Sequence, residues 1–248
     1  EGLSALSGTA TLESYAHWFD EEARNQLGGK WDTIARAMNI PNSVNLRVNT
    51  LKSSEENVLA ELKNAGLEVQ PHPVFDKALV LKGRPRLNNL EGFKTGKFEV
   101  QDAGSQSIAP FLNPKPGSTV IDACAGAGGK TLHLGALMQN KGALIAMDVE
   151  GRKLGELLKR TQRSGLSIVQ TRAWEEPGVL EELSNSADYL LLDVPCSGSG
   201  VIKREPDTKW KLQPEHLDRL ESVQFSIIRD YSSLLKTGGI MVYATCSI

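Results

Sequence analysis

Two cysteines follow strand-like segments at positions where α/β proteins usually carry their chemistry. Cys196 comes three residues after Asp193, which ends the apolar run Tyr189–Leu192, and Cys246 comes directly after the apolar run Ile240–Ala244 and one threonine. Continuous apolar runs of this length are typical of buried parallel strands, and ligands bind beyond the carboxyl ends of such strands. A thiolate there is a candidate nucleophile. Alternatively, Asp193 caps the next segment and Cys196 is a small buried hydrophobic side chain.

A glycine-rich turn joins another strand-like run to a helix, in the arrangement of a nucleotide site. Its residues are Ala123, Cys124, Ala125, Gly126, Ala127, Gly128, Gly129 and Lys130. The glycines let a ligand approach the backbone. A phosphate loop is excluded because that motif requires glycine where Cys124 stands, and a dinucleotide pattern is excluded because it requires glycine where Thr131 stands.

The pattern that remains fits S-adenosylmethionine, a nucleoside without a pyrophosphate. Asp148 ends the next strand-like run, where its carboxylate can accept both ribose hydroxyls; the alternative is a helix cap. We assign cofactor contacts to the glycine turn, to Asp148 and to Arg152, which opens the following helical stretch. A thiolate beside a methyl donor can add to C6 of a pyrimidine, which makes C5 nucleophilic enough to take the methyl group.

Alternation of strands and helices after Pro114 predicts a doubly wound, mainly parallel, Rossmann-like α/β sheet. The predicted strands are 119–123, 143–147, 168–171, 189–192 and 240–244, and the helices between them include 131–138, 152–163 and 217–235. In this topology the first and fourth strands are neighbours and the fifth lies beyond the fourth. Cys196 and Cys246 are therefore expected to face one crevice.

A small α+β domain and a helical segment are predicted to precede this sheet. We place the helical segment at 1–41, the small domain at 42–98 and the catalytic domain at 99–248. In the strand Val44–Thr50, Arg47 and Asn49 alternate with apolar residues and face away from them, where they either bind RNA or form a solvated face. The basic stretch Lys77–Lys97 has the same two interpretations.

Composition indicates an ordinary globular protein without a global basic signature, since the formal net charge is −2 and charged residues make up 23%. No apolar run is long enough to span a membrane, and nothing resembles a signal peptide, so we expect a cytoplasmic protein. We also expect a monomer. Three cysteines without C-x-x-C spacing argue against disulfides and zinc; we expect reduced thiols and no metal. The chain begins with Glu1, and we expect an excerpt shortened at its C terminus.

Three segments together resemble the RNA cytosine-5 methyltransferases, the family of the bacterial 16S rRNA enzymes and the NOL1/NOP2/Sun proteins. The segments are Asp122–Thr131, the Asp-Val-Pro-Cys-Ser-Gly-Ser-Gly run of 193–200, and the Ala-Thr-Cys-Ser run of 244–247. The runs 46–52 and 101–106 are also similar to family segments. The resemblance implies methylation of cytosine C5 in RNA, most of all ribosomal RNA, with S-adenosylmethionine as cofactor.

The resemblance also implies residue roles that spacing alone leaves open. Cys246 would attack C6, whereas Cys196 would assist breakdown of the covalent intermediate. Asp193 would contact the base or the methionine portion of the cofactor, and Lys130 and Asp148 would hold the cofactor. Lys203 and Arg204 resemble a basic substrate loop, although they can equally be solvated. The family's usual acid after the third strand is missing near Trp174, so the adenine contact stays unassigned. The alternatives are a tRNA or DNA target, or a non-catalytic RNA-binding or ribosome-assembly protein.

Overall fold

The computed structural model describes residues 12–41 and 43–248. Residues 1–11 of the predicted helical segment and Asn42 at the predicted domain boundary lie outside the described residues. The chain divides into two units. The first combines the N-terminal segment, as far as it is described, with Pro195–Ser226 and Thr245–Ile248, and the second contains Ser43–Val194 and Ile227–Ala244.

The second unit contains the predicted parallel sheet. Its strands are β5 (Thr119–Asp122), β6 (Ala143–Asp148), β7 (Val169–Ala173), β8 (Ala187–Asp193) and β9 (Leu235–Ala244). They pair in the order β7-β6-β5-β8-β9, all parallel, which confirms the predicted fold class and the predicted positions of the first, fourth and fifth strands. Central strands are apolar along their length because both faces are covered, and Leu190, Leu191 and Leu192 are fully buried.

Helices pack on this sheet; the first of them precedes β5, and the other three lie in the connections between successive strands from β5 to β8. They are α5 (Ala103–Leu112), α6 (Gly129–Leu137), α7 (Gly151–Ser164) and the short α8 (Val179–Glu182). One hydrophobic cluster includes Ile121, Met147 and Leu192, and another packs Leu134 and Met138 against Leu144. Apolar residues at helical spacing thus bury one face of each long helix against the sheet.

β9 begins earlier than predicted. Leu235 pairs with Ala187, but Ile240 pairs with Tyr189, so β9 contains extra residues relative to β8. A bulge absorbs them, and Gly238 has the positive φ of 83° that such an irregularity favours. The sequence prediction began the strand at Ile240, where the apolar run starts after Gly238 and Gly239. β9 is the last strand on its side of the sheet, and Ile240 is 50% exposed.

A smaller antiparallel sheet precedes the parallel one in the same unit. It consists of β1 (Val44–Val48), β2 (Val69–Pro71), β3 (Ala78–Leu81) and β4 (Phe98–Val100), in the order β2-β3-β1-β4. Helix α3 (Glu55–Asn64) packs Val58 and Leu62 against the sheet, and the short helix α4 (Glu91–Lys94) precedes β4. The predicted strand, helix, strand, strand order is present, and β4 is a further strand of this sheet.

The first unit has an aromatic core. Helices α1 (His17–Leu27) and α2 (Trp31–Asn39) are joined at Gly28–Lys30. Trp31 is fully buried, donates from Nε1 to Asp20 Oδ1 at 2.6 Å, and packs with Tyr15 and Phe19. The same unit contains α9 (Thr208–Lys211) and α10 (Pro214–Tyr231) as far as Ser226.

Within 12–41 and 43–248, no helix is both long enough and apolar enough to cross a membrane.

Candidate active site

The glycine turn at the end of β5 is held by backbone hydrogen bonds to the neighbouring strand. Ala125 N–H donates to the Met147 carbonyl at 2.9 Å, and Gly126 N–H donates to Asp148 Oδ2 at 2.8 Å. The other oxygen of Asp148 accepts from Glu150 N–H at 2.8 Å. Asp148 therefore caps the next segment and also closes the turn, and each carboxylate oxygen keeps a lone pair for a ligand hydroxyl.

Gly128 must be glycine for two reasons. Its φ of 88° is in the left-handed region, and a Cβ atom there would lie 2.6 Å from Leu157 Cγ on α7. Helix α6 begins at the next residue, so backbone N–H groups at its start point toward the turn. These features are those of a turn that a nucleoside ligand can approach closely.

Lys130 and Asp193, which the sequence assigns to the cofactor site, form an ion pair through Nζ and Oδ2. The side chains are only 14% and 28% exposed. Parallel pairing of β5 with β8 brings the two strand ends together, although the residues are far apart in the chain. The structure thus joins the glycine turn to the carboxylate at the end of β8.

Asp122 is a site residue to which sequence reasoning assigned no role. It is fully buried at the end of β5, where Oδ2 accepts from Thr131 Oγ1 at 2.7 Å and Oδ1 has no partner. Burial raises the pKa of this carboxyl from 3.8 to about 6. Its position at the carboxyl end of the first strand is the signal that could have identified it.

We predict that Asp122→Asn becomes more stable relative to the parent chain as pH rises. The unfolded carboxyl loses its proton near pH 3.8, whereas the folded one holds it to about 6, so the folded state binds more protons between these values. Stability of the parent chain therefore falls across this interval, by up to about 3 kcal/mol. Urea unfolding of both proteins from pH 4 to 7.5 measures this difference; a pH-independent difference contradicts the prediction.

The two motif cysteines meet in the first unit. Their Cα atoms are 6.2 Å apart, and Cys246 N–H lies 3.1 Å from Cys196 Sγ. The loops carrying them are joined by Gly200 N–H, which donates to the Cys246 carbonyl at 2.8 Å. A Cβ atom on Gly200 would lie 2.7 Å from that oxygen, so glycine is needed there.

The expectation that all three cysteines are reduced thiols is wrong for this structure, because the Cys196 and Cys246 sulfurs form a disulfide. The interlocked loops bring the Cα atoms within the range that a disulfide bridges. Spacing along the chain did not indicate this pairing, since the two residues are 50 positions apart. Cys124 is free and half-buried, and burial raises the pKa of its thiol to about 12.

Basic side chains lie around Cys196 in the first unit. Lys203 and Arg204 are exposed, and Arg204 has a solvent-facing contact of 3.9 Å with Glu205. A cleft beside Cys196 is lined by His216 and Arg219 of α10. Sequence reasoning missed these last two, because no motif contains them.

Arg47 and Asn49 do not lie on an exposed strand face, which corrects the prediction that they bind RNA. They are 2% and 3% exposed. Arg47 Nε donates to Gln101 Oε1 at 2.7 Å, and Asn49 Nδ2 donates to the Ser164 carbonyl at 2.9 Å. Residues that follow β4 and the end of α7 cover this face of β1. Both side chains therefore make hydrogen bonds within the protein and are not available to RNA.

Half of the basic stretch Lys77–Lys97 is neutralised by acidic neighbours. Lys82 pairs with Glu68 at 2.8 Å, Lys97 pairs with Glu61 at 2.8 Å, and Lys77 lies 4.0 Å from Glu55. Arg84, Arg86 and Lys94 are exposed. A positive surface therefore remains at these three residues only within this stretch.

The remaining predicted positions border Asp148. Arg152 is exposed in the first turn of α7. Trp174 N–H donates to the Asp148 carbonyl at 3.3 Å, and its ring packs 4.8 Å from that of Tyr231. The Trp174 indole therefore packs partly against the hydrophobic core.

Two family profiles match most of the chain. A profile described as "16S rRNA methyltransferase RsmB/F" matches residues 109–248, and a ferredoxin-like domain of the same family matches residues 15–88. The chain is 35% identical to a probable ribosomal RNA small subunit methyltransferase B of Bacillus subtilis over 96% of this chain and 54% of the relative. The Yersinia pseudotuberculosis methyltransferase B is 34% identical, over 94% and 55%. The chain spans about half the length of these curated relatives.

Solved structures of methyltransferases share the fold of this chain. A methyltransferase homolog protein from Pyrococcus horikoshii superposes with a TM-score of 0.84 at 30% identity, over all of this chain and 78% of that one. NSun6 from the same organism, solved with the cofactor analogue SFG, shares the fold at a TM-score of 0.85 and 23% identity, over 96% and 84%. Because the methyltransferase profile covers more than half of the sequence, the chain belongs to the RsmB/F family of S-adenosylmethionine-dependent 16S rRNA methyltransferases.

Proposed function

We propose that this protein transfers a methyl group from S-adenosylmethionine to C5 of a cytosine in ribosomal RNA. The observation that carries the proposal is that Cys196 and Cys246 lie next to each other, on two loops that a backbone hydrogen bond joins. Family membership supports a ribosomal RNA substrate, because the relatives carry that description in their names. Each cysteine follows a strand of the cofactor-binding sheet, after β8 and after β9.

The reaction needs one thiolate to attack and a later step to release it. The Cys246 thiolate forms a bond to C6, and the electron pair of the C5–C6 double bond then attacks the methyl carbon. Bound S-adenosylmethionine would supply this methyl group, and the electron pair of the broken S–C bond would stay on its sulfur. A base removes the C5 proton, the C5–C6 double bond re-forms, and the thiolate departs. We propose that Cys196 assists this last phase, in which the covalent intermediate breaks down.

The cofactor would be held by groups that already converge at the turn. The peptide groups of Ala123–Gly129 would face the nucleoside, and Asp148 would accept the ribose hydroxyls with its remaining lone pairs. Lys130 and Asp193 would hold the methionine portion, since their ion pair provides both charges that an amino acid group requires. Arg152 would lie at the rim.

RNA contacts are proposed for the exposed cations of the first unit. Lys203, Arg204 and Arg219 would neutralise phosphates, and His216 lines the same cleft as Cys196. In the second unit, the exposed Arg84 and Arg86 would also bind phosphates. Arg47 and Asn49 are not part of the proposed interface.

We predict that methyl transfer requires a reductant. In the disulfide form neither Cys196 nor Cys246 is a thiolate, so neither sulfur can add to C6. Protein oxidised to the disulfide should show no transfer above background, and dithiothreitol should restore it, while cofactor binding stays within about twofold because the turn contains neither residue. Equal rates before and after reduction would contradict the thiolate mechanism.

The proposed function is tested by incubating the reduced chain with methyl-labelled S-adenosylmethionine and unmodified 16S rRNA. Digestion to nucleosides should yield labelled 5-methylcytidine. The same assay with tRNA and with DNA distinguishes the alternative substrates. RNA binding without any transfer, despite cofactor binding, would support the non-catalytic assembly protein instead.

A further inference from the structure

A buried carboxylate in the small sheet is shared by two arginines of α7. Glu99, in β4, is 2% exposed. Its Oε2 accepts from Arg160 Nη2 at 2.9 Å and its Oε1 accepts from Arg163 Nη2 at 2.6 Å. Both arginine side chains are 23% exposed. A buried carboxylate of this kind is stabilised only while its cationic partners are in place.

The two arginines differ in what else they touch. Arg160 Nη1 also donates to the Ala127 carbonyl at 2.6 Å, in the centre of the glycine turn. The Arg163 guanidinium instead stacks on the ring of Phe93, 4.4 Å from its centroid. Of this pair, Arg160 is therefore the one that connects Glu99 to the turn.

The Ala127 carbonyl belongs to a peptide whose direction affects the whole turn. That peptide joins Ala127 to Gly128, whose N–H donates to the Ala125 carbonyl at 2.9 Å. Gly126 and Gly128 flank Ala127 with φ of 54° and 88°. Glycines at these angles have many alternative conformations, so an external bond to the peptide between them restricts the turn to one shape.

We propose that Arg160 is a positioning residue for the cofactor and that Glu99 of the small sheet acts through it. Glu99 orients the guanidinium, the guanidinium fixes the Ala127 peptide, and the turn is thereby preorganised for S-adenosylmethionine. The inference rests on the proposed function, in which this turn binds that cofactor. It makes the small sheet part of the cofactor site without any direct contact to the ligand.

The test compares Arg160→Met with Arg163→Met in the 248-residue chain. Each change removes one bond to Glu99 from a side chain that is 23% exposed, together with one further contact, to the Ala127 carbonyl for Arg160 and to the Phe93 ring for Arg163. Only the first change frees Ala127. Isothermal titration with S-adenosylhomocysteine should give a Kd about tenfold higher for Arg160→Met and within about twofold of the parent for Arg163→Met. Thermal melting identifies the folded proteins, and Arg160→Lys replaces Arg160→Met if the latter does not fold.

Further variants separate positioning from general stability. Arg160→Lys keeps the charge but cannot hold Glu99 and Ala127 with one planar fork, so its Kd should be intermediate. Glu99→Gln should raise the Kd in the parent chain and have no further effect in Arg160→Met, because it acts through that residue.

Equal Kd values for the two arginine variants overturn the inference, whether both weaken or neither does. An additive effect of Glu99→Gln overturns the role of Glu99. Failure of the parent chain itself to bind S-adenosylhomocysteine overturns the proposed cofactor site. This result differs from the one in which the parent chain binds and the substitution of Arg160 leaves its Kd unchanged.

Discussion

Cys246→Ser should lose methyl transfer by about a thousandfold or more while keeping its affinity for S-adenosylmethionine within about twofold. A serine hydroxyl is not ionised at neutral pH and cannot attack C6 at a useful rate, whereas a thiol is partly ionised and intrinsically more nucleophilic. The measurement is transfer of labelled methyl to 16S rRNA at saturating cofactor, together with the Kd for S-adenosylhomocysteine.

The comparison must be made under reducing conditions, because the substitution also removes the disulfide to Cys196. With dithiothreitol present, parent and variant both lack that cross-link, and melting curves then report any remaining difference in stability. A variant that is folded, binds cofactor and transfers methyl at the parent rate would eliminate Cys246 as the nucleophile.

Cys196→Ala should remain covalently attached to RNA. If Cys196 assists breakdown of the intermediate, its removal leaves the bond between Cys246 and C6 in place after methyl transfer. A denaturing gel of the variant mixed with S-adenosylmethionine and total RNA should show a band shifted by the attached RNA, and the parent chain should show little of it. Sequencing the trapped RNA would identify the target cytosine.

The control for this experiment is the double variant Cys196→Ala, Cys246→Ser, which should show no shifted band. A band that persists in the double variant would mean that another group attacks the RNA. A band formed by Cys246→Ser alone would reverse the two assignments and make Cys196 the nucleophile.

The strand and helix pattern predicted the parallel sheet well, because burial on both faces leaves a local signal. Apolar runs such as Leu190–Leu192 have no polar alternation, and the structure buries them completely. Glycine spacing likewise predicted a ligand turn at Gly126–Gly129, since positive φ values and close approach restrict the residue type locally. Strand β9 was less predictable, since its bulge resembles a turn until its partner is known.

Polar side chains on strands were not predictable in the same way. Alternation in β1 correctly separated Arg47 and Asn49 from Leu46 and Val48, but it does not say whether the polar face is covered. The covering partners, Gln101 and Ser164, are 54 and 115 residues away. Burial of those side chains therefore depends on chain segments that no local window includes.

The sequence by itself determined the fold class, the glycine turn and the positions of two motif cysteines, because each leaves a short-range pattern of residue types. Only the tertiary structure decided that Cys196 and Cys246 are bonded, that residues 195–226 pack with the N-terminal segment, and that Glu99 is linked through Arg160 to Ala127. These are pairings between distant segments. Their energies depend on which surfaces meet when the chain folds, and one-dimensional spacing does not contain that information.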